Sequence, residues 1–217
     1  FQLSFGATLL CLIFGFPVAY YITLQPENRR NFYIYLVTIP FWTNLLIRTF
    51  AWIIILGRGG VIEAPLLATG IIDDSLRMMY TDGAIAIGLT YSYLPLMVLP
   101  IYASLAKLDF RLLDAASDLY ANRFEIMTKV VIPLCKPGII AGCILVFIPC
   151  LGAFIAPNLL VGGKKLMLGS LVQFQFASAR NWPFGGALSM LLLSVVIITL
   201  IFYARAAKHR AAMEGSA

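Results

Sequence analysis

The chain has 217 residues, of which 61% are hydrophobic and only 12% are charged, and its mean hydropathy is +0.90. A sequence this apolar cannot cover itself with an ordinary polar surface, so the composition excludes a soluble globular domain and indicates an integral membrane protein. The net charge of +6 is scattered over loops and is not gathered on one polar domain with interleaved aromatic residues, which argues against a nucleic-acid partner. The lipid bilayer is therefore the first partner that we expect.

Apolar blocks follow one another along the chain, each close to the roughly 20 residues that a helix needs to cross a hydrocarbon core of about 30 Å. They predict an all-α membrane protein with five spans, at residues 3–24, 32–56, 84–106, 130–155 and 184–204. Prolines lie in or beside most of these blocks. Membrane helices tolerate them because neighbouring groups can satisfy the freed carbonyl oxygens.

The distribution of Lys and Arg predicts the orientation, because short cytoplasmic loops carry the excess of these residues. One side of the predicted spans holds Arg29, Arg30, Lys107, Arg111, Arg123, Lys129, Arg205, Lys208 and Arg210, and the other holds Arg58, Arg77, Lys164, Lys165 and Arg180. The first set is predicted to be cytoplasmic, which places residues 57–83 and 156–183 outside. Phe1 then also lies outside, with no basic region before the first span, so we expect a further preceding span and six in the full protein.

A polar insert, DFRLLDAASDLYANRF at residues 109–124, separates the third and fourth predicted spans. It predicts a short amphipathic helix with Asp109 as its N-cap. One face would carry Phe110, Leu113, Ala116, Leu119 and Tyr120. Small residues at 115 and 116 leave room for close backbone approach. Periodicity alone leaves two interpretations open, a helix lying at the lipid interface and a helix docked on a soluble partner.

This insert, together with Ile132-Pro133-Leu134 and Pro137-Gly138, resembles the "EAA" loop of the permease subunits of bacterial ABC importers. In that family the loop forms a coupling helix that docks on the ATP-hydrolysing subunit. The resemblance assigns this contact to Asp114, Ala115, Ala116, Leu119, Tyr120 and Ala121. Asp114 stands where Glu is usual, and Tyr120 stands where the family has a turn glycine. Because Tyr does not readily adopt a positive φ, we expect the helix to continue through it.

Four further stretches resemble the spermidine/putrescine importer permeases: IPFWTNLLIRTFAW at 39–52, GLTYSYLPLMVLPIYASLAKLD at 88–109, PGIIAGCILVFIP at 137–149 and NWPFGGALS at 181–189. The resemblance implies an ABC type I importer permease (MetI-like) fold in the bacterial inner membrane and polyamine import by alternating access. The implied partners are a dimer of ATP-binding subunits, a second homologous permease and a periplasmic substrate-binding protein. ATP and Mg would bind to the ATPase partner, and no cofactor would bind to this chain.

The residues of the transport pathway are less well defined by the sequence. Every carboxylate lies in a loop or tail, so the spans carry no acidic trap for a cation. Aromatic faces can attract cations, which makes Trp42, Tyr91, Tyr93, Phe147 and Phe154, together with Asn44, candidate pathway residues; each could equally be a packing or lipid-facing residue. Arg48 lies within the second block. It either extends toward the outer surface or faces the pathway, and the latter would favour an anionic or zwitterionic cargo.

The outer segment 157–183 is too polar for a span and predicts a glycine turn followed by a short amphipathic helix. By analogy with such importers, Lys164, Lys165 and Trp182 are candidate contacts for the binding protein, and Trp182 could also anchor the chain at the membrane interface.

Motifs of catalysis are missing from the sequence: it contains no G-x-x-x-x-G-K-[ST] loop and no H-E-x-x-H pair, and its only histidine is His209 in the basic tail. We therefore predict no catalytic residue and no metal site, and expect ATP hydrolysis in a partner. Cys11, Cys135, Cys143 and Cys150 lack C-x-x-C spacing and are interpreted as small packing residues. The alternative from another class is a stand-alone channel or membrane enzyme whose polar helix merely lies on lipid.

Overall fold

The computed structural model describes residues 1–69, 79–109, 111–162 and 167–214 of the chain. Over those ranges the backbone forms helices and short connections, and no β-strand occurs. The helices are α1 (Gln2–Thr23), α2 (Glu27–Trp42), α3 (Leu45–Leu56), α4 (Glu63–Ala68), α5 (Asp82–Leu105), α6 (Arg111–Asp118), α7 (Arg123–Ile126), α8 (Ile132–Gly152), α9 (Ile155–Val161), α10 (Leu168–Ala177) and α11 (Trp182–Glu214), with a π-helix (Met127–Val131) between α7 and α8. The predicted all-α class is confirmed.

Within the residues that the structure describes, four helical stretches are long and apolar enough to cross a membrane: Gln2–Thr23, Asp82–Leu105, Arg123–Gly152 and Trp182–Ile201. They correspond to the first, third, fourth and fifth predicted spans. The fourth starts at Arg123 instead of residue 130, because the polar loop leads into it without a break. Helix α11 continues to Glu214 instead of ending at residue 204, since the tail is rich in Ala, Arg and Lys, which favour helix.

The second predicted span, residues 32–56, is divided between α2 and α3, which are bent by 91° at a break. Thr43 at this break has an extended backbone, with φ −76° and ψ 149°. Its backbone N–H (3.3 Å) and its hydroxyl (2.7 Å) both donate to the carbonyl oxygen of Pro40. Hydropathy predicted a single span because it depends on composition alone and is not affected by hydrogen bonds that bend the backbone locally. The pair supplies a fifth span when α2 and α3 are counted together.

The fourth span begins with a π-helix whose cause is visible in the sequence. The N–H of Ile132 donates to the carbonyl oxygen of Met127, one residue further back than in an α-helix. Pro133 follows directly; it has no N–H, and its ring crowds the carbonyl group of the preceding turn. Widening that turn relieves the crowding. The helix can therefore run from the polar loop into the apolar span.

The chain clusters into two compact units: Phe1–Ser4, Leu46–Gly88 and Ile148–Ala217 form the first, and Phe5–Leu45 and Leu89–Phe147 form the second. The core of the second unit is apolar and includes the fully buried Ile22, Met97, Val98, Ile101, Leu105, Val131 and Val146. Cys11 and Cys135 are buried there, Cys143 is half-buried, and Cys150 is buried in the first unit. These positions agree with the predicted packing role of the cysteines.

Two glycines bring α8 against α5 in the second unit. Gly138 and Gly142 have the G-x-x-x-G spacing that lets membrane helices approach closely. A Cβ at Gly138 would lie 2.5 Å from the carbonyl oxygen of Pro100 and would collide with the side chain of Ser104. A Cβ at Gly142 would lie 2.8 Å from Sδ of Met97. The two backbones are thus in near contact, a feature that was not predicted from the sequence.

In the first unit, α9 ends at Gly162, which has a left-handed φ of 62°, and the short helix α10 follows. This order matches the predicted glycine turn and helix. Helix α10 packs on α11, where the rings of Phe176 and Trp182 meet edge to face with centroids 5.8 Å apart. The N–H of Tyr80 donates to the carbonyl oxygen of Leu160 at 3.2 Å, which ties α9 to the segment before α5.

Candidate functional site

The predicted partner-contact segment, residues 109–124, contains a shorter helix than expected, because α6 runs only from Arg111 to Asp118. Asp109 caps its start as predicted: its Oδ1 accepts the backbone N–H of Arg111 at 3.0 Å. Phe110 lies outside the described residues. No residue of α6 is buried. Its ends are therefore set by local hydrogen bonds and not by packing.

The end of α6 corrects the prediction for Tyr120. The helix does not continue through this residue, which has a left-handed backbone with φ 60°. The N–H of Tyr120 donates to the carbonyl oxygen of Ser117 (3.0 Å), and the N–H of Ala121 donates to that of Ala116 (3.1 Å). This pair of bonds defines a Schellman motif, in which glycine usually takes the left-handed position. The prediction was wrong because the two hydrogen bonds offset the steric cost, about 1 to 2 kcal/mol, of placing an L-residue there.

The next helix starts at once, with a reciprocal cap. Oδ1 of Asn122 accepts the N–H of Glu125 at 2.8 Å, and Oε2 of Glu125 accepts the N–H of Asn122 at 3.1 Å. This capping box was not predicted, although the spacing Asn-x-x-Glu is its sequence signal. Glu125 also pairs with Lys129 at 2.9 Å. The end of α6 and the start of α7 are thus separated by only a few residues.

The turn between the two helices presents large apolar side chains to solvent. Leu119 is 82% exposed, Tyr120 98% and Phe124 76%. We call these three residues the tip surface. Of the other predicted contact residues, Asp114 and Ala115 are exposed, while Ala116 and Ala121 are half-buried. On the predicted topology this surface is cytoplasmic. An exposed apolar cluster of this kind is typical of a contact with another protein or with a membrane.

Removing the Asn122 cap tests whether the local bonds set this geometry. Asn122→Ala is expected to destabilise the start of α7 by about 1 kcal/mol, because the N–H of Glu125 loses its acceptor. Amide hydrogen exchange over residues 123–127 should then become roughly fivefold faster. Ser117→Ala is the control, since its hydroxyl only bonds the Leu113 carbonyl oxygen within α6. Equal exchange in both variants would contradict a role for the cap.

The seven candidate pathway residues fall in different places. Trp42, Asn44, Tyr91, Tyr93 and Phe147 belong to the second unit, and Arg48 and Phe154 to the first. Phe147 lies on the wall of an apolar cavity of about 420 Å³, with Phe5, Leu9, Leu12 and Ile144. Trp42 is 88% exposed next to the α2/α3 break, and Arg48 is half-buried on α3. Their role in transport stays a prediction.

Of the candidate contacts for the binding protein, Lys164 and Lys165 lie outside the described residues. Trp182 is 67% exposed at the start of α11. In the same unit, Glu63 is only 3% exposed, and its Oε2 accepts the N–H of Gly59 at 2.7 Å. This buried carboxylate holds the turn before α4 and was not singled out from the sequence. Glu63 follows the glycines at 59 and 60 closely, and this spacing could have indicated that its side chain bonds to the backbone of the turn.

The fold is similar to that of chains in two solved bacterial ABC transporters. It matches a chain of a bacterial alginate ABC transporter, solved in complex with an alginate pentasaccharide-bound periplasmic protein, with a TM-score of 0.72 over 94% of this chain and 75% of that one. A second alginate transporter structure matches with a TM-score of 0.67 over 96% of this chain and 77% of that one. The sequence identities are 16% and 14%, so these similarities concern the fold alone.

The chain belongs to the family described as binding-protein-dependent transport system inner membrane component, whose profile matches residues 11–211. It is 43% identical over 202 residues to the spermidine/putrescine transport system permease protein PotB of Escherichia coli (strain K12), covering 93% of this chain and 74% of that protein. The protein of the same name in Haemophilus influenzae is 42% identical, with 93% and 71% covered. The inner membrane ABC transporter permease protein YdcU of Escherichia coli (strain K12) is 29% identical over 94% of this chain and 68% of that protein. The chain is thus a transport subunit of the inner membrane.

Proposed function

We propose that this chain is the membrane-spanning permease of an ABC importer that carries a polyamine of the spermidine/putrescine class from periplasm to cytoplasm. The observation that carries the proposal is the 43% identity, over 93% of the chain, to a permease named for spermidine and putrescine transport. The absence of carboxylates from the middle of the spans is compatible with this cargo. A cation passing weak aromatic and carbonyl contacts is released readily, whereas a buried ion pair would retain it.

The driving force comes from a dimer of ATP-binding subunits that bind ATP and Mg and contact this chain at α6 and the tip surface. This assignment is supported by the exposure of Leu119, Tyr120 and Phe124 and by the lack of any buried residue in α6. Closure of the ATPase dimer moves α6, and the continuous helical stretch from Arg123 to Gly152 carries that movement into the membrane. A second, homologous permease completes the pathway, and a periplasmic binding protein delivers the cargo on the outer side.

The proposal is tested by ATPase measurements on the reconstituted complex of both permeases, the ATPase subunits and the binding protein. Spermidine and putrescine are expected to stimulate hydrolysis, and a carboxylate-bearing solute is not. Arg48→Ala should change the stimulation by less than about threefold, because a guanidinium repels an ammonium group and is not expected to bind the cargo.

A matched Arg48→Lys variant keeps the positive charge and reports any structural effect of shortening this half-buried side chain. Stimulation only by the anionic or zwitterionic solute, lost in Arg48→Ala and retained in Arg48→Lys, would leave the importer fold in place but overturn the polyamine cargo. Stimulation by no solute would overturn the proposed function as a whole.

A further inference from the structure

We infer that α10 links docking of the periplasmic binding protein to the movement of α8, and that Gly169 is the positioning residue of this link; this inference rests on the proposed function. Helix α10 and the last residues of α8 both lie within the first unit. On the predicted topology α10 is on the outer side of the membrane, where the binding protein docks. The first turn of α10 contacts α8, and its last turn contacts the start of α11.

The contact between α10 and α8 joins backbone to backbone. A Cβ at Gly169 would collide with the carbonyl oxygen of Gly152, the last residue of α8, and would lie 2.5 Å from the carbonyl carbon of that residue. It would also lie 3.0 Å from the carbonyl oxygen of Ala153. The carbonyl end of α8 thus meets the N-terminal turn of α10, an arrangement that the helix dipoles favour. Because no side chain separates the two backbones at this point, a shift of the end of α8 displaces α10 directly.

At its other end, α10 is tied to the start of α11. The N–H of Asn181 donates to the carbonyl oxygen of Gln175 at 3.0 Å. The rings of Phe176 and Trp182 meet edge to face, and a Cβ at Gly185 would lie 3.1 Å from the Phe176 ring. Trp182, a candidate contact for the binding protein, is therefore held by α10 while most of its surface is open.

These contacts connect Trp182 to the end of α8 through a single short helix. A binding protein that displaces Trp182 on docking moves α10, and α10 moves the end of α8. The helical stretch that ends at Gly152 begins at Arg123, close to the tip surface that is proposed to contact the ATPase. Binding linkage is reciprocal, so ATP bound to the partner must change the affinity for the binding protein by the same factor by which the binding protein changes the affinity for ATP.

Gly169→Ala is expected to lower the stimulation of ATPase activity by spermidine-loaded binding protein about fivefold or more, because the added Cβ forces α10 away from the end of α8. Basal ATPase activity without binding protein should stay close to that of the wild type, since the ATPase contact is not altered. Gly185→Ala disturbs the other end of α10 and should have a smaller effect, because an aromatic ring can shift. The matched control is Gly186→Ala on the same helix, where nothing lies within 4 Å of the new Cβ.

A second readout separates a link from a merely structural contact. The Kd of spermidine-loaded binding protein for the reconstituted complex is measured without nucleotide and with ATP in the absence of Mg, so that ATP binds without being hydrolysed. In the wild type and in Gly186→Ala the two Kd values should differ about fivefold or more, and in Gly169→Ala they should be nearly equal. General destabilisation would reduce the amount of active complex but would leave the ratio of the two Kd values unchanged. If Gly169→Ala does not assemble, the same ratio in Gly185→Ala decides.

A wild-type ratio of Kd values in both Gly169→Ala and Gly185→Ala, together with unchanged stimulation, would overturn the link. That failure is distinguishable from failure of the proposed function. If loaded binding protein stimulates the wild-type complex and both variants behave like Gly186→Ala, only the link is wrong. If binding protein does not stimulate the wild-type complex with any cargo, the proposed function is wrong, and the link falls with it.

Discussion

Gly138→Ala is expected to destabilise the protein by about 1 to 3 kcal/mol. The added Cβ would lie 2.5 Å from the carbonyl oxygen of Pro100 and would press on Ser104. A backbone carbonyl cannot move aside as the end of a flexible side chain can, so α8 would have to shift away from α5. In a bilayer the lost van der Waals contact is not compensated by a hydrophobic driving force between helices. The melting temperature of the purified protein in detergent should fall by several degrees.

Two other glycines of the second unit provide matched controls for this prediction. Gly142→Ala should cost less than Gly138→Ala, because its nearest contact, at 2.8 Å, is the side-chain Sδ of Met97, and the nearest backbone carbonyl oxygen is further away, at 3.2 Å instead of 2.5 Å. Gly6→Ala on α1 should be neutral or slightly stabilising, since nothing lies within 4 Å of the new Cβ and alanine favours helix. If all three variants melted at the same temperature, the described approach of α8 to α5 would be wrong.

The second large effect is expected at Tyr120, where two substitutions test separately the contributions of the backbone conformation and of the side chain. Tyr120→Gly should stabilise the turn by about 1 kcal/mol, because glycine adopts φ 60° without steric cost. It removes one side chain of the tip surface and should therefore weaken ATPase coupling, but by less than Tyr120→Val, because the turn is kept. Tyr120→Val should lower cargo-stimulated ATPase activity about tenfold or more. A β-branched residue is strongly disfavoured at positive φ, and each 1.4 kcal/mol of added cost depopulates the Schellman turn tenfold. The measurement is stimulated ATPase activity of the complex at equal protein level.

Phe124→Val is the control for this pair. It also replaces an exposed aromatic residue of the tip surface by valine, but at a helical position of α7, where valine causes no backbone conflict. Coupling should therefore suffer less in Phe124→Val than in Tyr120→Val. The opposite pattern, with coupling lost in Tyr120→Gly and kept in Tyr120→Val, would mean that coupling depends on an apolar side chain at this position and not on the backbone conformation of the turn.

Much of the contact segment could be predicted from the sequence because its determinants are local. The Asp109 cap was predicted and is present, since capping depends on neighbouring residues alone. The capping box of Asn122 and Glu125 is equally local, and its spacing was readable. The end of α6 at Tyr120 was mispredicted because the prediction considered only the preference of tyrosine for negative φ. It did not include the two hydrogen bonds that form the Schellman motif. The family pattern, with glycine at this position, already indicated the conformation that Tyr120 adopts.

The sequence by itself determined the membrane class, the approximate position of the long helices and the predicted orientation, because hydropathy and charge are properties that add up residue by residue along a segment. The tertiary structure decided which surfaces meet. The contact of Gly138 with Pro100 and the hydrogen bond from Tyr80 to Leu160 connect residues that are distant in the chain. Such contacts depend on how helices pack, and the apolar composition of a membrane helix does not specify which of its faces lies against another helix and which against lipid.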